Sequence, residues 1–258
     1  MLDHYPVLIV ARLGSSRLPL KHLSEVSGKP IIEHLIDRVK CADRVGDIVL
    51  CTTDLGEDLP LVEVADRTNI TVFRGDPTNV PKRLYDAAVY LGSEFSVIVE
   101  ADEIFCDWAL VDKLIERYSL TRSDVVNFGS GPIGSHFIGI RTDLLKVVSN
   151  LLGNAPNTDG WLRYFTNAGS FSFRLEELEA DDYISSGSDL RLTLDWPEDL
   201  LLIEAVFEQL YTKEESFTLG SVIKLLRSNP DMMKINRHLV AQYEDHMKNY
   251  PTIPHITS

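Results

Sequence analysis

Cysteine is scarce in this chain: its 258 residues include only Cys41, Cys51 and Cys106. The three form no C-x-x-C pair, and each lies within or at the end of a segment with a helix or strand pattern. We therefore expect buried free thiols in a reducing compartment. A chain of this length can bury a sizeable core without covalent staples.

Long apolar runs are also missing. No stretch of about 18 apolar residues occurs, and the first segment, M1-L-D-H-Y-P-V-L-I-V-A11, lacks the basic start of a signal peptide. We therefore expect no signal peptide, no membrane span and a cytoplasmic location.

Basic residues are few as well. Lys and Arg total 25 against 39 Asp and Glu, which gives a net charge of −14. This charge argues against nucleic acid and anionic membranes as partners, because non-specific binding to either requires clustered cations. An anionic ligand therefore needs a local basic site.

What the sequence does contain is an α/β pattern. Short apolar runs at residues 7–11, 47–51, 71–73, 95–99 and 124–128 alternate with segments of helical period, including residues 79–91 and a helix capped by Asp107. This alternation predicts a mostly parallel sheet flanked by helices, in a single domain spanning residues 1–258.

The second half of the chain is less regular. We interpret residues 129–190, with strands predicted at 137–141 and 170–175, as an inserted region that covers the substrate. A strand at 191–194 then returns to the sheet and a helix spans 197–210. Helices at 219–226 and 232–246 form a helical C-terminal appendage within residues 215–258.

A cationic loop follows the first strand. Its segment A11-R-L-G-S-S-R-L-P-L-K21 combines small residues with cations, namely Arg12, Gly14, Ser15, Ser16, Arg17 and Lys21. Ligands of open α/β sheets bind beyond the carboxyl ends of the strands, where small residues expose backbone N–H groups and cations bind phosphate oxygens. The loop predicts a polyphosphate site; the alternative is a solvated surface loop.

Two common nucleotide-binding motifs do not apply to this chain. The cationic loop lacks the G-x-x-x-x-G-K-[ST] spacing of a P-loop. Residues 129–134 match G-x-G-x-x-G, but Pro132 and the strand pattern that follows argue against the helix that a dinucleotide site requires. A dehydrogenase is therefore disfavoured.

Carboxylates follow two of the predicted strands. The strand at 95–99 leads to Asp102, and the strand at 191–194 leads to Asp195. Mg²⁺ is usually held by one or two carboxylates together with substrate phosphates, so this pair predicts a magnesium site beside the cationic loop. For Asp195, the spacing to Pro197 and Glu198 is equally typical of a helix N-cap with a capping-box glutamate.

These segments give the chain a resemblance to a known family. The motifs that carry it are the cationic loop, G28-K-P-I-I-E-H34, C51-T-T-D54, F73-R-G-D76, Asp102, R191-L-T-L-D-W-P-E-D-L200 and N229-P-D-M-M-K-I-N236. They resemble cytidylyltransferases of the acylneuraminate and 3-deoxy-manno-octulosonate type, most of all the branch called spore coat polysaccharide biosynthesis protein F. The similarity spans nearly the whole chain and is densest in its first half.

The resemblance implies a Rossmann-like nucleotidyltransferase fold, transfer of CMP from CTP to an acidic sugar with release of pyrophosphate, and a homodimer. It implies a CTP site formed by Ala11, Arg12, Gly14, Ser15, Ser16, Arg17, Lys21 and Arg83. It also implies that Asp102 and Asp195 hold Mg²⁺. Catalysis would fall to Arg12, Lys21 and Asp102, which position the substrates and neutralise charge.

Two regions depart from the family pattern. Ile98 and Ala101 replace an arginine and a glycine ahead of Asp102. The segment Pro132-Ile-Gly-Ser-His-Phe-Ile138 lacks the acidic residues usual in the acceptor region, and T158-D-G-W161 replaces E-H-V-T. The nucleotide half of the site is therefore better matched than the acceptor half.

These departures leave the acceptor open. His136, Trp161 and Arg163 are candidate acceptor contacts, although an isolated His or Trp is most often a packed or surface side chain. The leading hypothesis is a CTP- and Mg²⁺-dependent transferase with a small acidic acceptor. The alternatives are another nucleotide, a non-carboxylated or phosphonate acceptor, and a non-catalytic nucleotide-binding protein.

Overall fold

The computed structural model describes residues 3–128, 131–135, 137–153, 158, 160–164, 173–178, 182–212 and 216–248. Its strands are β1 (Tyr5–Val10), β2 (Glu25–Val26), β3 (Lys29–Pro30), β4 (Val45–Thr53), β5 (Thr71–Gly75), β6 (Phe95–Glu100), β7 (Val125–Phe128), β8 (Ile138–Arg141) and β9 (Leu175–Leu178). Its α-helices are α1 (Ile31–Val39), α2 (Leu59–Thr68), α3 (Val80–Tyr90), α4 (Trp108–Thr121), α5 (Thr142–Leu152), α6 (Asp182–Ser185), α7 (Pro197–Leu210), α8 (Leu219–Ser228), α9 (Pro230–Met233) and α10 (Leu239–Lys248).

Seven strands form the central sheet, in the order β5-β4-β1-β6-β8-β7-β9. β1 pairs in parallel with β4 and β6, and β4 with β5, whereas β8 runs antiparallel to β6 and β7. The predicted mostly parallel α/β sheet is therefore confirmed. Because β1 lies between β4 and β6, the cationic loop that follows it is flanked by the segments that follow those two strands.

Helices cover both faces of the sheet. On one face, α1, α2 and α4 pack apolar side chains such as Ile32, Leu61 and Leu110 into a buried core that also includes α7 and α8. On the other face, α3 and α5 contribute Leu84 and Leu145. The buried positions follow the helical period of the sequence. Within the described ranges, no helix is both long enough and apolar enough to cross a bilayer.

The predicted strand at 191–194 is wrong. Its backbone makes a single parallel bridge, between Arg191 and Ile133. Leu192 N–H donates to the carbonyl of Ile133 at 2.7 Å, whereas Leu194 N–H donates to the carbonyl of Asp102 at 3.1 Å. Because two separate loops satisfy these groups, no ladder forms, and the apolar alternation reflects only the burial of the two leucines.

The predicted strand at 170–175 is displaced along the chain. Residues 170–172 lie outside the described residues, and β9 begins at Leu175, opposite Val125. Asp124 fixes this register, because its carboxylate accepts from Arg174 N–H at 2.8 Å and its N–H donates to the Arg174 carbonyl at 3.0 Å.

The helices after the sheet match the predictions in part. The helices predicted at 197–210 and 219–226 are confirmed as α7 and α8, but the helix predicted at 232–246 is interrupted between α9 and α10. The interruption contains buried Asn236, whose amide donates to the Arg191 carbonyl at 3.0 Å and to Asp199 at 2.9 Å. Residues 249–258 of the predicted appendage lie outside the described residues.

The cysteines differ in their surroundings. Cys51 and Cys106 are buried free thiols, as predicted, but Cys41 is exposed. Cys41 follows the end of α1, and its thiol donates to the Asp37 carbonyl at 3.3 Å. The helix end therefore explains why the expected burial is wrong at this position.

Candidate active site

The cationic loop is tied to the strand beside β1. Ala11 N–H donates to the carbonyl of Cys51 at 3.2 Å, and Leu13 N–H donates to Asp58 Oδ1 at 2.7 Å. Asp58 is fully buried just before α2, and its second oxygen accepts from the Thr53 hydroxyl at the end of β4. This carboxylate therefore fixes the loop over the carboxyl edge of the sheet. No sequence motif identified Asp58.

The tip of the loop faces solvent. Its exposed residues are Arg12, Gly14, Ser16 and Arg17. Ser15 N–H donates to the Leu13 carbonyl at 2.9 Å, which makes a tight turn. A Cβ added at Gly14 would lie 3.2 Å from a carboxylate oxygen at the end of the exposed Glu57 side chain, which can move aside. The tip thus presents small residues and two guanidinium groups, as a phosphate site requires.

Lys21 lies at the centre of the site. Its side chain is only 9% exposed, and its ammonium donates to Asp102 Oδ2 at 2.9 Å, Asp195 Oδ1 at 3.2 Å and the Leu194 carbonyl at 2.7 Å. An ammonium has three N–H donors, so each of them has an acceptor. The two carboxylates predicted as a metal pair are therefore brought to one cation.

Three cations surround Asp195. Besides Lys21, Arg17 donates to Oδ1 at 2.6 Å and Arg191 donates to Oδ2 at 3.1 Å. Burial disfavours the charged form of Asp195, yet Lys21, Arg17 and Arg191 outweigh burial and lower its pKa. Burial likewise opposes the charge of Lys21, but Asp102 and Asp195 raise its pKa. Both groups are therefore ionised at neutral pH.

The N-cap of α7 is not Asp195. Trp196 is the N-cap residue, and Asp199 Oδ2 accepts from the N–H groups of both Asp195 and Trp196 at 3.0 Å. The N-cap interpretation of Asp195 is therefore wrong: the helix begins at Pro197 after Trp196, and the capping-box carboxylate is Asp199 rather than Glu198. The Asp195 carboxylate instead faces the cations of the site.

Arg191 holds Asp195 from the interior. Its fully buried guanidinium donates to both oxygens of Asp199 at 2.9 Å and also to Asp195. The guanidinium carbon lies 4.8 Å from the ring centre of Trp196 and 5.2 Å from that of Tyr243 in α10. Such cation–π contacts stabilise a buried guanidinium. The resemblance had drawn attention to the Arg191 motif, but no sequence signal identified Tyr243.

Among the described residues, Arg83 makes no hydrogen bond or ion pair with Lys21 or with the two carboxylates that Lys21 contacts, and it lies instead near the turn after β5. Its buried guanidinium donates to the Asp76 carbonyl, in the turn after β5, at 2.8 Å. Burial lowers the pKa of Arg83, and the nearby positive charge of Arg12 adds to the effect. Arg83 is therefore near the cationic loop, and its contact with nucleotide stays a prediction.

The candidate acceptor residues lie partly outside the described residues. His136 is one of those outside, as is the side chain of Arg163. Trp161 is 1% exposed and packs in the core on the face that carries α3 and α5. Contacts of these three residues with an acceptor stay predictions.

The carboxylate pair was predicted to hold Mg²⁺. In the part of the chain that the structure describes, no group of three or more His, Cys, Asp or Glu residues is suited to a metal ion. Mg²⁺ does not require one, because it is bound through one or two carboxylates, water and substrate phosphates. Asp102 and Asp195 both contact the Lys21 ammonium beside the cationic loop. They are therefore the kind of carboxylate pair that binds Mg²⁺ together with the phosphates of a substrate.

Comparison with known proteins yields consistent matches. The sequence model of the family described as cytidylyltransferase matches residues 6–217. Spore coat polysaccharide biosynthesis protein SpsF of Bacillus subtilis is 25% identical over 229 residues, which cover 87% of this chain and 94% of that protein. The 3-deoxy-manno-octulosonate cytidylyltransferase of Geobacter sulfurreducens is 29% identical over 150 residues, which cover 57% of this chain and 58% of that protein.

The fold also has solved counterparts. The structure of a cytidylyltransferase from Leptospira borgpetersenii serovar Hardjo-bovis aligns with a TM-score of 0.78 at 22% identity, over 90% of this chain and 97% of that one. The family match includes the cationic loop, Asp102 and Asp195. The resemblance inferred from the motifs is confirmed. The chain therefore belongs to the cytidylyltransferase family and is a CTP-dependent nucleotidyltransferase.

Proposed function

We propose that this enzyme transfers CMP from CTP to a small acidic acceptor of the 2-keto sugar acid type, with Mg²⁺, and releases pyrophosphate. The observation that carries the proposal is the Lys21 ammonium, which contacts Asp102 and Asp195 beside the cationic loop. The acceptor class is supported by the Geobacter relative, a 3-deoxy-manno-octulosonate cytidylyltransferase.

In this proposal the cationic loop binds the triphosphate. Arg12 and Arg17 lie at its exposed tip and offer planar donor groups to phosphate oxygens. The small residues Gly14, Ser15 and Ser16 let the same oxygens approach the backbone closely. Asp58 keeps the loop in place through its bond to Leu13 N–H. The triphosphate is therefore held at the edge of the sheet, next to the carboxylate pair.

Asp102 and Asp195 are the residues that would hold Mg²⁺, which when bound withdraws charge from the phosphate oxygens. An acceptor hydroxyl attacks the α-phosphorus in line, the new P–O bond forms as the bond to the bridging oxygen breaks, and the hydroxyl proton passes to water. Pyrophosphate leaves with the electron pair of the broken bond. Lys21 and Arg17 offset the negative charge that develops on it.

We also propose that the enzyme is a cytoplasmic homodimer. The family resemblance supports the dimer, and the use of CTP, an intracellular nucleotide, supports the location. Light scattering on the purified chain should give about twice the 29.1 kDa mass of one protomer, because oligomers of this kind are usually twofold symmetric. A mass of one protomer at micromolar concentration would contradict the dimer.

The transferase is tested by pyrophosphate release from purified protein. Each nucleoside triphosphate is supplied with Mg²⁺ and a panel of sugar acids, neutral sugars and phosphonates. We expect release with CTP and a sugar acid, and none when EDTA removes Mg²⁺. Release with another nucleotide would contradict the proposed specificity for CTP, and release with a neutral acceptor would contradict the proposed specificity for an acidic acceptor. Binding of CTP in calorimetry without release from any acceptor would instead support a non-catalytic nucleotide-binding protein.

The metal assignment is tested with Asp102→Asn. The change is nearly isosteric and removes the charge of the ligand, so Mg²⁺-dependent turnover should fall by at least about 100-fold. The fold should persist, because the Lys21 ammonium keeps Asp195 and the Leu194 carbonyl as acceptors. The matched control is Asp231→Asn, which changes an exposed carboxylate on α9. Equal turnover in the two variants would refute the metal assignment.

A further inference from the structure

The last described helix brings an aromatic side chain to the reaction site. Tyr243 in α10 is half-buried, and its ring centre lies 5.2 Å from the guanidinium carbon of Arg191, which itself bonds Asp195. The negative charges of Glu100, Asp195 and Asp102 also act on the Tyr243 hydroxyl. A residue from the C-terminal appendage therefore lies one side chain away from Asp195.

Buried contacts hold α10 in this position. Leu239, the first residue of α10, is 2% exposed. Tyr243 follows Leu239 by four residues and therefore lies on the same face of the helix. The turn before α10 is fixed by Asn236, whose amide bonds the Arg191 carbonyl and the Asp199 carboxylate. The packing of the appendage therefore holds Tyr243 close to the site.

The anchor of the cationic loop and Glu100 lie on opposite sides of β1. The cationic loop is tied toward β4 through Leu13 and Asp58. Glu100, by contrast, is the last residue of β6, which lies on the other side of β1. With the triphosphate on the loop, we place the attacking group toward the end of β6, where the charge of Glu100 acts on the Tyr243 hydroxyl.

We propose that Tyr243 contacts the acceptor and that its phenol hydroxyl hydrogen-bonds a hydroxyl group of the sugar, not its carboxylate. This inference rests on the proposed function, since it requires an acceptor. The nearby carboxylates Glu100, Asp102 and Asp195 accept hydrogen bonds from hydroxyl groups, whereas an ionised carboxylate has no hydrogen to donate to them. The surroundings therefore favour a hydroxylated, uncharged part of the acceptor at this point.

The protonation state of Tyr243 is consistent with this role. Burial raises the pKa of the phenol, and the carboxylates of Glu100, Asp195 and Asp102 raise it further, against the opposing effect of Arg191. The phenol is therefore neutral at physiological pH, and it can both donate and accept a hydrogen bond.

Tyr243→Phe is the direct test, because it removes the hydroxyl and keeps the ring that stacks on Arg191. The probe reaction is pyrophosphate release with CTP, Mg²⁺ and 3-deoxy-manno-octulosonate. We expect kcat/KM for the acceptor to fall about five- to tenfold, as for the loss of one hydrogen bond, with the KM for CTP within about twofold of wild type. The control is Tyr90→Phe, at a tyrosine that is 70% exposed on α3.

The outcomes separate this inference from the proposed function. If kcat/KM for the acceptor is unchanged in Tyr243→Phe, or if the KM for CTP rises equally, the acceptor contact is refuted and the transferase stands. No release from the wild type with this acceptor, with CTP still bound in calorimetry, overturns the proposed acceptor class and the Tyr243 contact with it. Absence of CTP binding overturns the nucleotide site itself.

Discussion

His22, the residue after Lys21, should make the stability of the ligand-free enzyme depend on pH. Its side chain is buried, and burial together with the adjacent Lys21 charge lowers its pKa to about 3. An unfolded chain binds the same proton near pH 6.5. Because the folded pKa is the lower one, the unfolded state binds more protons below pH 6.5, and stability is lost as the pH falls from there toward 3.

The magnitude follows from this interval. Each pH unit between the two pKa values changes the free energy of unfolding by about 1.4 kcal/mol, so lowering the pH from 7.5 to 5 should remove about 2 kcal/mol through His22. His22→Gln abolishes the titration, and its amide can still donate to the Ala101 carbonyl that bonds the imidazole. The variant should therefore gain about 2 kcal/mol relative to wild type over that range.

Urea unfolding at a series of pH values measures this difference. The two proteins are otherwise identical, so all other contributions cancel when the two free energies are subtracted. His4→Gln, at an exposed histidine, serves as the matched control and should track the wild type. A wild-type minus His22→Gln difference that stays constant from pH 7.5 to 5 would refute the buried, neutral His22.

Two further substitutions probe the supports of the site. In Asp58→Asn only one side-chain oxygen remains to accept the two hydrogen bonds from Leu13 and Thr53, so the loop loses one anchor. The KM for CTP should therefore rise about threefold to tenfold in steady-state assays. Gly134→Ala should lower the free energy of unfolding by about 3 kcal/mol or more in urea titrations. The reason is that φ is +87° and the new Cβ would overlap the backbone of Thr193. Gly153→Ala, with φ of +50° and no atom nearer than 3.8 Å, should cost only about 1 kcal/mol.

The local parts of the site could be predicted from the sequence. The strand period, the small residues and the cations of the loop all lie within residues 11–21, so one continuous segment fixes their position at the edge of the sheet. Asp102 follows β6 in the same way. The cap of α4 is also local, and Asp107 accepts from Ala109 N–H at 3.0 Å as expected.

The parts that could not be predicted depend on distant partners. The apolar alternation at 191–194 reports that Leu192 and Leu194 are buried, but it carries no information on which loops pair with their backbone. Similarly, Asn236 interrupts a helical pattern because its amide finds acceptors on a remote segment. Tyr243 reaches Arg191 only once that interruption sets the start of α10. Periodicity describes one element at a time, whereas these contacts join several.

The pairing of charges in the site has a consequence for how Lys21 works. All three of its N–H donors are satisfied, by Asp102, Asp195 and the Leu194 carbonyl, so a bond to a phosphate oxygen requires that one of these contacts be released. Releasing it alone leaves a carboxylate with less compensating charge in a largely buried site, which is costly. If Asp102 and Asp195 held a divalent cation, two of these donors would become available to phosphate without that cost. Under the proposed function, we therefore expect Lys21 to couple the binding of the triphosphate to that of Mg²⁺.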